Sequence, residues 1–200
     1  VGLSLVGWEM EIRDRASPSG GFGFGNRLCG TAGKVYVLRG SNSTIWGSEA
    51  VGGVVDVSTR TERGLSGSIE YGARDTLFAS AAAGAGNDDV FFGLTGSWYE
   101  TDGFSAAASG TEADGSQQFA LGTTAFVNLT PSLELVAHGN FAEGEVEIDG
   151  FPARYYVLAD TDDTQKSTRY LGDVGLAYYG NDLTLRAVYG SSDLERVNRD

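Results

Sequence analysis

From Leu65 onward, apolar and polar residues alternate with a period of two, in runs separated by turn-forming residues. Val90, Phe92, Leu94, Gly96 and Trp98 fall on one side of the clearest run, and Phe91, Gly93, Thr95, Ser97 and Tyr99 on the other. The next run sets Phe119, Leu121, Thr123, Ala125, Val127 and Leu129 against Gln118, Gly122, Thr124 and Asn128. Then Leu133, Leu135, Ala137, Gly139 and Phe141 oppose Glu134, His138 and Asn140. Tyr170, Gly172, Val174, Leu176 and Tyr178 oppose Asp173 and Gly175, and Leu183, Leu185, Ala187 and Tyr189 oppose Thr184, Arg186 and Gly190. A weaker run (Leu65, Gly67, Ile69, Tyr71) and the small-residue stretch Leu77–Gly86 complete about seven runs. Successive side chains of a strand point to opposite faces, so the pattern predicts about seven β-strands and no helices.

The links divide into two kinds. Gly86-Asn87-Asp88-Asp89, Asn128-Leu129-Thr130-Pro131-Ser132 and Gly180-Asn181-Asp182 are short and turn-forming. Residues 101–116 and 143–167 are long polar stretches and are expected to be loops, while the link at residues 73–76 is short yet falls on the long side. Short and long links alternate in this way in membrane β-barrels, between periplasmic turns and extracellular loops.

Charge placement bears on the kind of sheet. The mid-strand ionisable residues Glu70, Glu134, His138, Asp173 and Arg186 all fall on the polar register. That register is otherwise largely Gly, Ser, Ala, Thr and Asn, rather than the Lys, Glu and Thr usual on a water-facing strand. Tyr71, Trp98, Tyr99, Phe141, Tyr170, Tyr178, Tyr179 and Tyr189 cluster near strand ends, where a barrel carries its aromatic girdles. A soluble sandwich would show the same alternation but bury its apolar face in a core.

Composition removes other classes. Acidic residues outnumber basic ones 27 to 14, for a net charge of −13, so no basic stripe is available for a nucleic-acid backbone. Glycine supplies 30 of 200 residues, with no triplet period, which suits a β architecture or loops. Apolar runs such as residues 50–55 are far too short for a helical membrane span. Cys29, His138 and Met10 are each alone of their kind, which excludes an intrachain disulfide and a Cys/His zinc cluster. No nucleophile–base pair, metal cluster or phosphate loop is present, so the chain is not expected to be an enzyme.

The chain opens on Val1 without a recognisable signal peptide and stops at Asp200 just after a strand-like run, and it reads as a fragment. Residues 1–33 show neither period; Gly21-Phe22-Gly23-Phe24-Gly25 is not a nucleotide loop. This stretch stays unassigned, either a flexible Gly/Ser segment or out-of-frame sequence joined near Lys34.

Between that stretch and the strands lies Val35-Tyr36-Val37-Leu38-Arg39-Gly40-Ser41-Asn42-Ser43-Thr44-Ile45-Trp46-Gly47-Ser48-Glu49-Ala50-Val51-Gly52-Gly53-Val54-Val55-Asp56-Val57-Ser58-Thr59. It resembles the end of the plug domain of TonB-dependent outer-membrane receptors, in which an apolar strand, Arg-Gly, an aromatic-Gly and Ala-x-Gly-Gly-Val precede a closing strand. Arg39, Gly40, Gly47, Gly52 and Gly53 carry the match. The resemblance continues to the end of the chain, and the order of strands and loops, with Tyr99-Glu100-Thr101-Asp102-Gly103-Phe104, looks most like the cobalamin transporter branch.

That resemblance implies an all-β fold: part of an antiparallel transmembrane barrel of about 22 strands, with the C-terminal end of its plug. Residues 34–60 would be plug and 61–200 the first strands of the wall. It implies a bacterial outer-membrane location and active uptake of a scarce nutrient, cobalamin or another corrinoid. The partners would be outer-membrane lipid and the TonB complex, reached through an N-terminal region that this chain does not include. A ferric-siderophore receptor is the alternative within the class, and a soluble calcium-dependent β-module the alternative outside it. In cobalamin transporters an acidic loop at this place binds calcium, which would fall here to Asp149, Asp160, Asp162 and Asp163. Clustered carboxylates supply the hard oxygen ligands calcium needs, although residues 160–166 do not follow an EF-hand pattern. No other cofactor is expected.

Overall fold

The computed structural model of the chain describes residues 32–40, 53–105, 110–150 and 159–199. Residues 1–31, and the question of their frame, lie outside it. Strand β1 (Ala32–Arg39) pairs antiparallel with β2 (Gly53–Thr59), placing Val35 opposite Val57 and Val37 opposite Val55. Gly40 follows β1 at φ +93°, a left-handed conformation that a Cβ makes costly.

Seven strands form a second sheet: β3 (Gly64–Tyr71), β4 (Leu77–Gly86), β5 (Val90–Thr101), β6 (Ser116–Thr130), β7 (Leu133–Gly150), β8 (Ala159–Tyr179) and β9 (Thr184–Arg199). Each pairs antiparallel with the strand before it, in chain order throughout. The turns after β4, β6 and β8 lie at one end, while the links after β3, β5 and β7 lie at the other.

One expectation is corrected. Residues 143–167 are not a loop, because β7 continues to Gly150 and β8 already begins at Ala159. Glu145 pairs with Lys166 and Glu147 with Thr164, so the backbone ladder runs on well past the apolar runs. Both faces of this extension are polar along β8, from Asp160 to Gln165, so no contrast between faces marks it as strand. The signal lay on β7, where Val146 and Ile148 alternate with Glu145 and Glu147.

Burial then separates the two faces. Phe91, Ala120, Val136 and Ala177 are buried, as are Thr95, Ser97, Gln118, Thr124 and His138, and all belong to the register read as polar. The apolar register is open: Leu65 is 88 % exposed and Ile69 79 %, and Phe92, Leu94, Val174, Leu176 and Leu185 are exposed too. Among the described residues no second layer covers either face; only residues 60–62 cross the buried one, at Gly84 and Gly93. A single layer can hide one face only by curling toward it, so the sheet is a trough with a small, polar inside and an apolar outside.

Candidate functional site

The inside is built in rows. One runs straight across the sheet through Gly64, Gly84, Gly93, Thr124, His138, Asp173 and Gly190. Within it His138 Nδ1 lies 2.8 Å from Asp173 Oδ2, with the imidazole 1 % exposed and the carboxylate 17 %. An ionised carboxylate only accepts, so Nδ1 donates this bond. His138 Nε2 and, two strands away, Ser97 Oγ are buried without a hydrogen-bond partner. Toward the short turns the inside becomes apolar, with the rings of Phe91 and Phe126 stacked 5.5 Å apart and Val136 opposite Phe126. The sequence placed His138 and Asp173 on the polar register without bringing them together; only the β7–β8 register does that.

The outside carries a line of rings across four neighbouring strands. Trp98 meets Phe119 at 6.4 Å, Phe119 meets Phe141 at 6.3 Å, and Phe141 meets Tyr170 at 5.1 Å. The line does not follow a row of the ladder. Tyr71 at its β3 end is in register, strand by strand, with Val197, whereas the outward tyrosine of β9 is Tyr189, eight residues earlier. Eight residues rise about 26 Å and six strand-to-strand steps cross about 29 Å, so the line is inclined by about 42° to the ladder rows. Strands of a membrane barrel tilt by roughly 35–45°. On the short-turn side of this line no outward position in β3–β9 is charged; immediately beyond it stand Glu100, Glu143 and Lys166, the last two paired at 2.8 Å. Two of the aromatics expected in the girdles belong elsewhere. Tyr99 and Tyr179 fall on the inward register, opposite Gln118 and next to Ala177, and Tyr179 donates to Glu134 at 3.2 Å.

At the long-link end the loops are tied together. The Gly115 amide donates to the Glu147 carboxylate at 2.7 Å, and the Glu147 amide to the Gly115 carbonyl at 2.9 Å. Ser105 donates to Asp149 at 3.2 Å, so the β5–β6 link is fastened to the β7–β8 extension twice. The Arg74 guanidinium sits 4.9 Å from the Phe104 ring centre, and the Asp102 amide donates to the Arg74 carbonyl at 3.1 Å. Arg74 and Asp75 hold positive φ, 59° and 49°, and Tyr71 donates to the Asp75 carboxylate. Nothing in the sequence announced the Arg74–Phe104 contact, since neither residue belongs to a periodic run.

The expected calcium residues divide. Asp149 is at the end of β7, while Asp162 and Asp163 are consecutive in β8 and therefore face opposite sides. Asp160 is in β8, and its side chain lies outside the description. Among the described residues no three His, Cys, Asp or Glu side chains gather as a metal would require. Of the glycine motif, Arg39, Gly40 and Gly53 belong to or flank β1 and β2, and Gly47 and Gly52 lie outside the described residues.

No family model matches the chain. Among solved structures it is similar to the siderophore receptor PiuA from Acinetobacter baumannii, with a TM-score of 0.66 at 16 % identity, over 86 % of this chain. The chain spans 28 % of the length of that receptor. At this identity the likeness speaks for the fold, an antiparallel all-β sheet of the kind found in a receptor.

Proposed function

We propose that the chain forms part of the wall of an outer-membrane β-barrel receptor of the TonB-dependent type, which takes up a scarce nutrient from outside the cell. The observation that carries this reading is the uncharged, exposed apolar outside, bounded by an inclined line of aromatic rings with charges directly beyond it. Lipid is the solvent such a surface fits, because a charge at mid-membrane on that face costs roughly 2–4 kcal/mol while the inside tolerates it. A soluble calcium-dependent module would need this same face covered by a second layer. The inside, small and polar, suits a lumen rather than a core.

Two nutrients remain in the proposal. The strand and loop order around residues 99–104 supports a corrinoid, and the likeness to a siderophore receptor supports a ferric siderophore equally. Calcium at Asp149, Asp160, Asp162 and Asp163 belongs to the corrinoid reading. Equilibrium binding of labelled cobalamin and of labelled ferric siderophores to outer membranes carrying the intact protein separates them. Cobalamin binding that weakens on calcium chelation supports the corrinoid reading, and siderophore binding indifferent to chelation replaces it. Binding of neither leaves another nutrient, and an intact protein absent from the outer membrane overturns the whole reading.

A further inference from the structure

Residues 60–63 join β2 to β3 and cross the inside of the sheet at its short-turn end. Their path coincides with two glycines paired across β4 and β5, Gly84 and Gly93. A Cβ on Gly84 would overlap the Glu62 carbonyl oxygen, and one on Gly93 would lie 3.6 Å from the Arg60 carbonyl. Two neighbouring strands thus lack side chains at the place where a third stretch of backbone rests on them. The Arg63 guanidinium reaches Asp88, in the β4–β5 turn, at 2.6 Å. Gly64 follows at φ +105°, a conformation suited to glycine, and the chain there turns into β3. Beneath the crossing is a hollow of about 150 Å³, lined among others by Arg60, Glu62, Ala82, Gly93 and Thr95.

We propose that residues 60–63 form a strap latched to the wall, seated on Gly84 and Gly93 and pinned at one end by Asp88. The strap fixes the point on the inside of the sheet from which the β1–β2 unit departs, so any displacement of that unit must bend about this point or lift the strap. Its opening is set by backbone fit rather than by a bound molecule. The exposed Arg63–Asp88 pair adds register more than strength, since exposed ion pairs contribute little. The strap is independent of which nutrient the receptor takes.

The test uses the intact protein solubilised in detergent and limited digestion with trypsin, read as the rate of cleavage after Arg60 and Arg63. Cleavage of a docked segment follows the population of its open form when opening is fast. Gly84→Ala forces the strap off the wall and should raise both rates by about tenfold or more. Gly96→Ala is the control: its Cβ would meet only Leu121 and the Ala120 carbonyl, at 3.5 and 3.9 Å, remote from the strap, and its rates should match the parent. Asp88→Lys, at a fully exposed turn position, should speed cleavage after Arg63 without threatening the fold. Heat-modifiable migration on gels reports the folded barrel separately from the strap. Unchanged cleavage in a folded Gly84→Ala variant overturns the proposal; should that variant not fold, unchanged cleavage after Arg63 in Asp88→Lys does so.

Discussion

Single residues on this sheet are governed by the face they occupy. Leu94 is outward near the middle of the apolar band, and Ser66 is inward on the open β3 edge. Leu94→Arg is expected to lower folding stability in lipid by roughly 2–4 kcal/mol. Ser66→Arg should change it by no more than about 0.5 kcal/mol. Urea unfolding of the intact protein in vesicles measures both, and equal losses at the two sites would remove the lipid-facing assignment. His138 poses a different problem, because it is enclosed and holds a single partner. Asp173→Ala strands the Nδ1 donor in a closed environment and should cost about 1–3 kcal/mol. Adding His138→Ala should recover part of that loss, with a coupling of roughly 0.5–3 kcal/mol in the double-mutant cycle. Strictly additive losses would show that the pair is incidental to the β7–β8 pairing.

Among the elements, the β7–β8 extension stands apart, since it continues as paired strand where the outward positions have become charged. It depends on its ladder and on the links fastened to it, not on lipid. Glu147 is the main fastening, accepting from the Gly115 amide and donating its own amide to the Gly115 carbonyl. Glu147→Ala removes only the first bond. Amide exchange at residues 110–116 should then accelerate several-fold while β7 itself keeps its protection, a split that mass spectrometry of deuterated peptides resolves. Acceleration along β7 as well would mean that the hairpin leans on the link rather than the reverse. These contrasts also explain what was legible beforehand. The strands from Val90 to Tyr189 announced themselves because one face is apolar and the other small and polar, which is the contrast periodicity detects. Asp160 to Gln165 offered no contrast, so a strand there was read as loop. Partnerships such as His138 with Asp173 depend on register between strands, which a lone sequence leaves open. Arg74 with Phe104 depends on how two turns fold over one another.

For the molecule as a whole, the aromatic line gives an orientation. In a barrel wall the line of outward rings marks a membrane interface, so it must run parallel to the membrane plane while the strands cross it obliquely. Its inclination of about 42° to the ladder rows is therefore also the tilt of the strands from the membrane normal. The band below the line agrees in height. On β6 the outward residues from Phe119 to Leu129 are uncharged. Ten residue steps measure about 33 Å along the strand, or about 25 Å along the normal at that tilt, the usual height of the apolar belt of such barrels. Polarised infrared spectroscopy of the intact protein in aligned bilayers measures the tilt from the dichroism of the amide bands. A mean strand tilt near 40° is expected. Strands close to the normal would contradict the inclined line, because the rings of β3 and β9 would then sit at depths differing by about 26 Å. Absence of any dichroism would return the sheet to water, where the apolar outside and the free edges of β3 and β9 would drive it to associate.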